Sequence, residues 1–314
     1  MLKFIEESKL DSLIFSKYRF TIEFNKNVKF REFHGSMLRG AFGDGLKNIV
    51  CIKRERKECN GCSEFNECSY PYIFDKRYVD NITILKPYVI EPEPKTFNRN
   101  TMSFNIILIG NVLKYLRQII YSVREMGILG LGTNREKFRV IKIEAMDKSS
   151  KFFSVFDNIT QDVIPHEKLT VKSFDLSHNN KITLRFLTQV RIEEEKEEKT
   201  NVLNNELNFD SLFSNLLRRV KNLSKFYCNQ ELSLPENELS EQSKKILTLK
   251  KDIDYKINWG FSSTQNKKVP FYGYDGDIEY SGDLEKLYPF LVLGEHLHIG
   301  KRTTSGLGRY KIIQ

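Results

Sequence analysis

Residues Lys17–Phe24 alternate without a break: Tyr18, Phe20, Ile22 and Phe24 are apolar, while Lys17, Arg19, Thr21 and Glu23 are polar. A period of two means a strand with one face turned to a core. The period then changes. Phe33, Met37, Leu38, Ala41, Phe42, Leu46 and Ile49 recur at steps of three and four, the mark of an amphipathic helix. Strand followed by helix opens a mixed α and β architecture.

The pattern continues in the same vocabulary. Asn81–Ile90 reads as extended, and Pro92 and Pro94 break it. Phe104, Ile107, Leu108, Val112, Tyr115, Leu116, Ile119 and Ile120 predict a second helix, ended by Gly127, Gly130 and Gly132, and Lys137–Ile143 predicts a strand. With one further strand between the helices, which the pattern does not place, the order is βαββαβ, a ferredoxin-like (RRM-like) unit. The second half predicts strands at Leu169–Leu176 and Ile182–Val190, a helix at Phe209–Tyr227, strands at Ile253–Phe261 and Val269–Tyr280, a helix at Leu284–Leu293 and a last strand at Leu307–Ile313. Each half carries Gly-Leu-Gly near its final strand, at Gly130–Gly132 and Gly306–Gly308, as a duplication would leave it.

The expected fold is therefore α+β, with two ferredoxin-like halves in tandem. Residues 1–150 form the first, interrupted by a Cys-rich insertion at 51–68. Residues 165–314 form the second, with a glycine-rich loop at 300–308. Arg191–Lys199 and Pro235–Gln242 are expected to be solvated loops.

Charge is uneven along the chain. Of the formal +9, residues 1–150 hold +8, from 26 Lys and Arg against 18 Asp and Glu. A polyanionic partner fits the first half best. No uncharged apolar run approaches the ~18 residues of a membrane span, and the N-terminus has no leader pattern, so a cytoplasmic protein without a membrane partner is expected.

Four of the five cysteines, Cys51, Cys59, Cys62 and Cys68, fall in one 18-residue stretch as Cys-x7-Cys-x2-Cys-x5-Cys. Clustered thiols of this kind fit a reducing compartment and a metal better than a disulfide framework. Structural zinc is the plainer expectation; an iron–sulfur cluster also takes four thiolates, and reduced cysteines without metal are the third possibility. Cys228 stands apart, as core packing.

The C-terminal GEHLHIGKRTTSGLGRYKI places Lys301, Arg302, Thr303, Thr304 and Ser305 between Gly300 and the pair Gly306 and Gly308. Two cations, three hydroxyls and closely approachable backbone N–H groups suit a phosphodiester chain. The nucleotide-binding pattern Gly-x-x-x-x-Gly-Lys-Ser/Thr is absent, and the loop joins a helix to a strand, the reverse of that motif's context, so an NTPase is rejected.

This loop resembles the glycine-rich motif of the RAMP superfamily, and LYPFLVLGEHLHIGKRTTSGLGRYKI is similar to the end of the CRISPR-associated protein 6 family. FHGSMLRGAFGDGLKNIVC with YPYIFD, LRFLTQVRI and FDSLFSNLLRRVKNLSKFY extend the likeness to both halves. One departure stands out: where the superfamily pattern opens with glycine, this chain has His298.

The resemblance implies an endoribonuclease that cuts CRISPR repeat RNA without a catalytic cofactor. A ribose 2′-OH attacks the adjacent phosphate, leaving 2′,3′-cyclic phosphate and 5′-OH ends, and the product guide RNA passes to an interference complex. The protein itself would be a monomer or homodimer. It implies a catalytic histidine near the start of the first helix, which makes His34 the first choice and His298, with His296 two residues earlier, the runner-up. If the helix already includes Phe33, His34 lies on its apolar face; if the helix begins after Gly35, His34 is free to face a cleft. His166 and His178 are expected in solvated loops, and Tyr18 in the core. Expected RNA contacts are Arg39 and Lys47 on the helix's polar face, with Gly300, Lys301, Arg302, Thr303, Gly306 and Gly308 in the loop. Two alternatives stay open: a non-catalytic RAMP subunit that holds guide RNA, and a zinc-stapled nucleic-acid adaptor.

Overall fold

A computed structural model describes residues 1–30, 33–53, 58–75, 77–79, 82–93, 99–157, 160–192, 207–262 and 267–314. The chain divides into two compact units. One is Phe15–Leu169 with Gly260–Val269; the other is Met1–Ile14, Thr170–Trp259 and Pro270–Gln314. The expected boundaries at 1–150 and 165–314 are thus corrected at the N-terminus, because Met1–Ile14 belongs with the C-terminal half. Helix α1 (Leu2–Glu7) is held there by ring contact of Phe4 with Phe290 at 6.4 Å, by Lys172 bridging Glu6 and Asp11 at 2.9 and 2.8 Å, and by Ser8 O accepting from Ser233 N–H.

The first unit runs β1 (Phe15–Val28), α2 (Gly35–Val50), α3 (Ser69–Ile73), the ribbon β2 (Tyr78–Val79) and β3 (Ile82–Thr83), β4 (Tyr88–Pro92), β5 (Arg99–Ile109), α4 (Leu116–Leu129), β6 (Phe138–Met146) and β7 (Phe152–Ser154). Its sheet is antiparallel in the order β4-β5-β1-β6-β7. Leaving aside short β7, that is the ferredoxin-like order. The apolar half of β1 packs with Leu38, Phe42 and Leu46 of α2 and Ile119, Ile120 and Val123 of α4 in one core. The helices approach closely at Gly45, where a Cβ would stand 2.4 Å from Ser122 O.

Two expectations change here. Phe104, Ile107 and Leu108 are not helical; they lie in β5, the strand that the pattern left unplaced. Ile106, Ile107, Leu108 and Ile109 are all fully buried, so both faces of this strand are apolar and the run shows no alternation. The polar half of β1 is not all at the surface either. Lys17 is 8% exposed and pairs with Glu91 at 2.6 Å, which also accepts from Asn105 Nδ2 at 2.8 Å. A buried charge is tolerated when neighbouring strands supply its counter-charge and hydrogen bonds.

The second unit continues with β8 (Lys181–Val190), α5 (Phe209–Tyr227), α6 (Glu236–Lys244), β9 (Leu247–Ser262) and β10 (Lys267–Ser281) apart from Gly260–Val269, α7 (Tyr288–Leu297) and β11 (Tyr310–Ile313). The sheet order β11-β8-β10-β9 is again ferredoxin-like. Leu169–Leu176 is not the expected strand: a 3₁₀ turn at Val171–Ser173 is locked by a Thr170–Ser173 capping box. Pro235–Gln242 is not a loop but mostly α6, which puts Glu236 and Glu238 in its first turn and Lys244 in its last and buries Leu239. The acidic run at 193–199 lies outside the described residues.

Candidate nucleic-acid interface

Five residues after α7 adopt positive φ: His298 (62°), Gly300 (82°), Arg302 (60°), Gly306 (85°) and Gly308 (67°). Glycine is demanded at two of them. A Cβ at Gly300 would lie 2.4 Å from Arg191 O, and one at Gly308 would lie 1.7 Å from Ile299 O. The backbone of this loop is folded onto the protein. Ile299 N–H donates to Gly308 O, Gly300 N–H to Asn215 Oδ1, Lys301 N–H to Arg191 O and Gly308 N–H to Gln189 O, all within 2.9–3.1 Å. These four donors are therefore committed to Gln189, Arg191, Asn215 and the loop itself and are not open to a phosphate. Thr303, Gly306 and Gly308, expected among the RNA contacts, are buried, whereas Lys301 and Arg302 are exposed. The loop is a rigid mount for two cations.

Aromatic rings accompany those cations. The Arg302 guanidinium lies 4.4 Å from the Phe271 ring centroid, and Arg191 lies 4.2 Å over Tyr272. Tyr255 meets Tyr272 and Tyr274 at 6.3 and 5.3 Å. By strand alternation, Ile257 and Trp259 share that face of β9, and Tyr255, Ile257 and Trp259 are all exposed. Phe271 is buried and Tyr272 half-buried, so these rings anchor the cations, while the exposed Tyr255, Ile257 and Trp259 offer surface on which the bases of a nucleic-acid strand can stack. Arg191 and the ring set escaped the sequence reading, although the alternation of Tyr255, Ile257 and Trp259 was a visible signal.

Helix α5 supports this loop. Asn215 accepts from Gly300 N–H, and Arg219 Nε donates to Leu297 O at 3.0 Å, near the C-terminal end of α7. Arg219 is buried, and that burial lowers its pKa to about 10. The first unit repeats the loop's signature. Gly130 and Gly132 have φ of 82° and 73°, and Leu131, like Leu307, is buried between them. Gly132 faces Phe30 and Met37, at the start of α2.

The histidines sit as follows. Helix α2 begins at Gly35, so His34 is its N-cap, yet the side chain is only 7% exposed. His298 is fully buried, with Nδ1 3.1 Å from Leu307 O, and holds a glycine-like φ of 62°. His296 is buried and stacks on Phe174 at 4.2 Å. His178 stacks on Tyr288 at 4.9 Å. His166, expected in a solvated loop, instead meets Tyr18 Oη at 2.8 Å through Nε2, and its Nδ1 lies 3.0 Å from Ile164 O.

Arg39 and Lys47 do not form the expected outward pair. The Arg39 guanidinium lies over the Phe74 ring at 4.6 Å and faces Tyr88. Lys47 is in the last turn of α2, in electrostatic range of Asp44 and Cys59. Cys51, Cys59, Cys62 and Cys68 are all partly buried and free of disulfides. Among the described residues no group of three His, Cys, Asp or Glu side chains is already arranged around a metal position.

Two ferredoxin-like units thus each carry Gly-Leu-Gly ahead of their last helix-linked strand. The profile of the family described as CRISPR-associated endoribonuclease Cas6 matches residues 184–310, and that of the N-terminal domain family AF_1859_N matches residues 13–169. An uncharacterized protein of Archaeoglobus fulgidus is 28% identical over 116 residues, 35% of this chain and 39% of that relative. Thermus thermophilus Cas6 (TTHB231) is structurally similar with a TM-score of 0.56 at 13% identity, covering 96% of this chain and 99% of that one. The Cas6 (TTHB231) product complex gives 0.59 at 12% identity, over 95% and 100%. A chain of a partial Cas6-RT-Cas1–Cas2 complex gives 0.55 at 14% identity, over 96% of this chain and 46% of that one. Residues 184–310 thus carry the Cas6 family domain, and residues 13–169 the AF_1859_N domain. Among the described residues no helix is long and apolar enough to cross a membrane.

Proposed function

We propose that this chain is a cytoplasmic endoribonuclease that cuts CRISPR repeat RNA by attack of a ribose 2′-OH on the adjacent phosphate. The products carry 2′,3′-cyclic phosphate and 5′-OH ends, and the released guide RNA goes to a CRISPR effector assembly. The observation that carries this reading is the exposed Lys301–Arg302 pair on a rigid glycine loop, in the same unit as the exposed rings of β9, within a Cas6-family fold. Likeness to a Cas6 seen as a product complex supports an RNA ligand, and likeness to a Cas6-RT-Cas1–Cas2 chain supports a CRISPR assembly as partner.

In this mechanism no metal is needed. The cations neutralise charge that builds on the phosphorane, and a base takes the 2′-OH proton. His34, the N-cap of α2, is the proposed base. His298 is fully buried with its Nδ1 against Leu307 O, which suits holding the loop better than proton transfer.

The test is single-turnover cleavage of labelled repeat RNA in EDTA by wild type, His34→Ala and His298→Ala. One cut ending in a cyclic phosphate, abolished by a 2′-deoxy residue at the cut site and slowed by about 10²–10⁴ in His34→Ala, is the expected result. A second reading, a non-catalytic subunit that holds guide RNA, is favoured by the burial of His34, His296 and His298. Tight binding of uncut RNA by the wild type decides for it.

A further inference from the structure

We propose that Cys51, Cys59, Cys62 and Cys68 form a tetrathiolate zinc site that fixes the connection between α2 and α3. This inference is independent of the nuclease reading. From Cys51 to Cys68 none of the described residues is buried, and Ile52 is 78% exposed. No apolar core holds this long connection, so its shape needs another source of stability.

The chain is nevertheless turned as a metal site requires. Cys62 N–H donates to Cys59 O at 3.0 Å, Phe65 N–H to Cys62 O at 3.1 Å and Cys68 N–H to Glu64 O at 2.8 Å. Gly61, at φ 69°, lets the Cys59–Cys62 spacer close. A Cys-x2-Cys turn of this kind offers two thiolates to one ion.

The other two cysteines stand on fixed elements. Cys51 is the C-cap of α2, with its N–H on Lys47 O, and Cys68 is the N-cap of α3. Phe74, directly after α3, is wedged against α2 where a Cβ on Gly43 would lie 2.2 Å from its ring, and it stacks on Tyr88. Half of the ligand set is therefore positioned before any ion arrives. Cys68 lies in electrostatic range of Cys51 and Cys62, and Cys59 of Cys68. Beside Cys59 stand Asp75, which hydrogen-bonds the thiol, and Lys47. Binding exchanges four thiol protons for one Zn²⁺ and draws the Cys59–Cys62 turn onto Cys51 and Cys68. Zinc is preferred to an iron–sulfur cluster because this surface stretch offers no buried shell to shield a redox centre from solvent.

The test begins with metal analysis of the full chain purified under reducing conditions. About one zinc per chain is expected, released by a strong chelator and lost from Cys62→Ser. The stripped wild type should then take Co²⁺ with the thiolate-to-metal absorption of a four-sulfur site, and zinc should displace it. Amide exchange of residues 58–68 should rise on stripping and fall on zinc return, which decides the matter even where Cys62→Ser does not fold. Absence of bound metal together with no cobalt spectrum overturns the proposal, as does iron with acid-labile sulfide.

Discussion

Tyr18 and His166, 148 positions apart in the chain, meet through a 2.8 Å hydrogen bond between the phenol oxygen and Nε2. Ile164 O, 3.0 Å from Nδ1, can only accept. Neutral His166 therefore carries its proton on Nδ1, and Tyr18 donates to Nε2. Burial raises the Tyr18 pKa, which keeps the phenol protonated for that role. The ring pair meets edge to face at 5.4 Å. The pair ties the segment after β7 to the centre of the first sheet. Tyr18→Phe should cost about 1 kcal/mol in urea denaturation. Because one bond is shared, His166→Ala in the Tyr18→Phe background should cost less than in the wild type. Strictly additive losses would show that the bond contributes nothing.

Lys301 and Arg302 are exposed on a loop whose backbone is held by Asn215, Arg191 and Gln189. Lys301→Ala should therefore bind RNA more weakly with little change in melting temperature, and Arg302→Ala should bind more weakly and melt slightly lower for loss of the Phe271 contact. Each lost phosphate contact should flatten the plot of log affinity against log salt by about 0.7 for a single strand. Arg302→Lys should keep the salt slope and still lose affinity, since the planar contact with Phe271 goes. Trp259, the single tryptophan and 53% exposed, supplies the fluorescence signal for these titrations. An unchanged slope in both alanine variants would remove the loop from the RNA interface.

Two glycines predict opposite outcomes for the same substitution. At Gly308 a Cβ would meet a backbone carbonyl at 1.7 Å with φ at 67°, so Gly308→Ala should lose several kcal/mol or fail to fold. At Gly40, inside α2, nothing lies within 4 Å of the added methyl. Gly40→Ala should stabilise by about 0.5–1 kcal/mol, the helix-propensity difference. Thermal melts of the two variants check both signs together.

Where the chain buries one face of an element, the sequence showed it: β1, β8 and α5 stand where alternation or helical spacing placed them. Where burial is two-sided or nearly absent, periodicity failed for physical reasons. Strand β5 is apolar on both faces and mimicked a helix. Helix α7 runs Tyr288–Leu297 and not Leu284–Leu293, because every residue from Tyr288 to Gly294 is buried and no polar face fixes the register. Helix α6, nearly all polar, read as a loop. In the loop at 300–308, the exposure of Lys301 and Arg302 followed from composition between glycines. The commitment of its N–H groups did not, since it depends on Gln189, Arg191 and Asn215, distant in sequence. The same holds for the packing of Arg39 on Phe74.

Asp44 carries the pH prediction. Asp44 lies on the exposed side of α2, where partial desolvation holds its carboxyl above the usual 3.8 and Arg135 and Lys47 pull it back down. A folded-state value above the unfolded one means that the folded chain binds this proton more tightly. The stabilisation is present in full below pH 3.8 and is lost as pH rises through the folded value, so at neutral pH the ionised carboxylate sits in a site that prefers the neutral form. Asp44→Asn, uncharged and of the same shape, should therefore melt at a higher temperature than wild type at pH 7. The two should converge as pH falls toward the unfolded value. A lower melting temperature for Asp44→Asn at pH 7 would mean that attraction to Arg135 and Lys47 outweighs desolvation at this position.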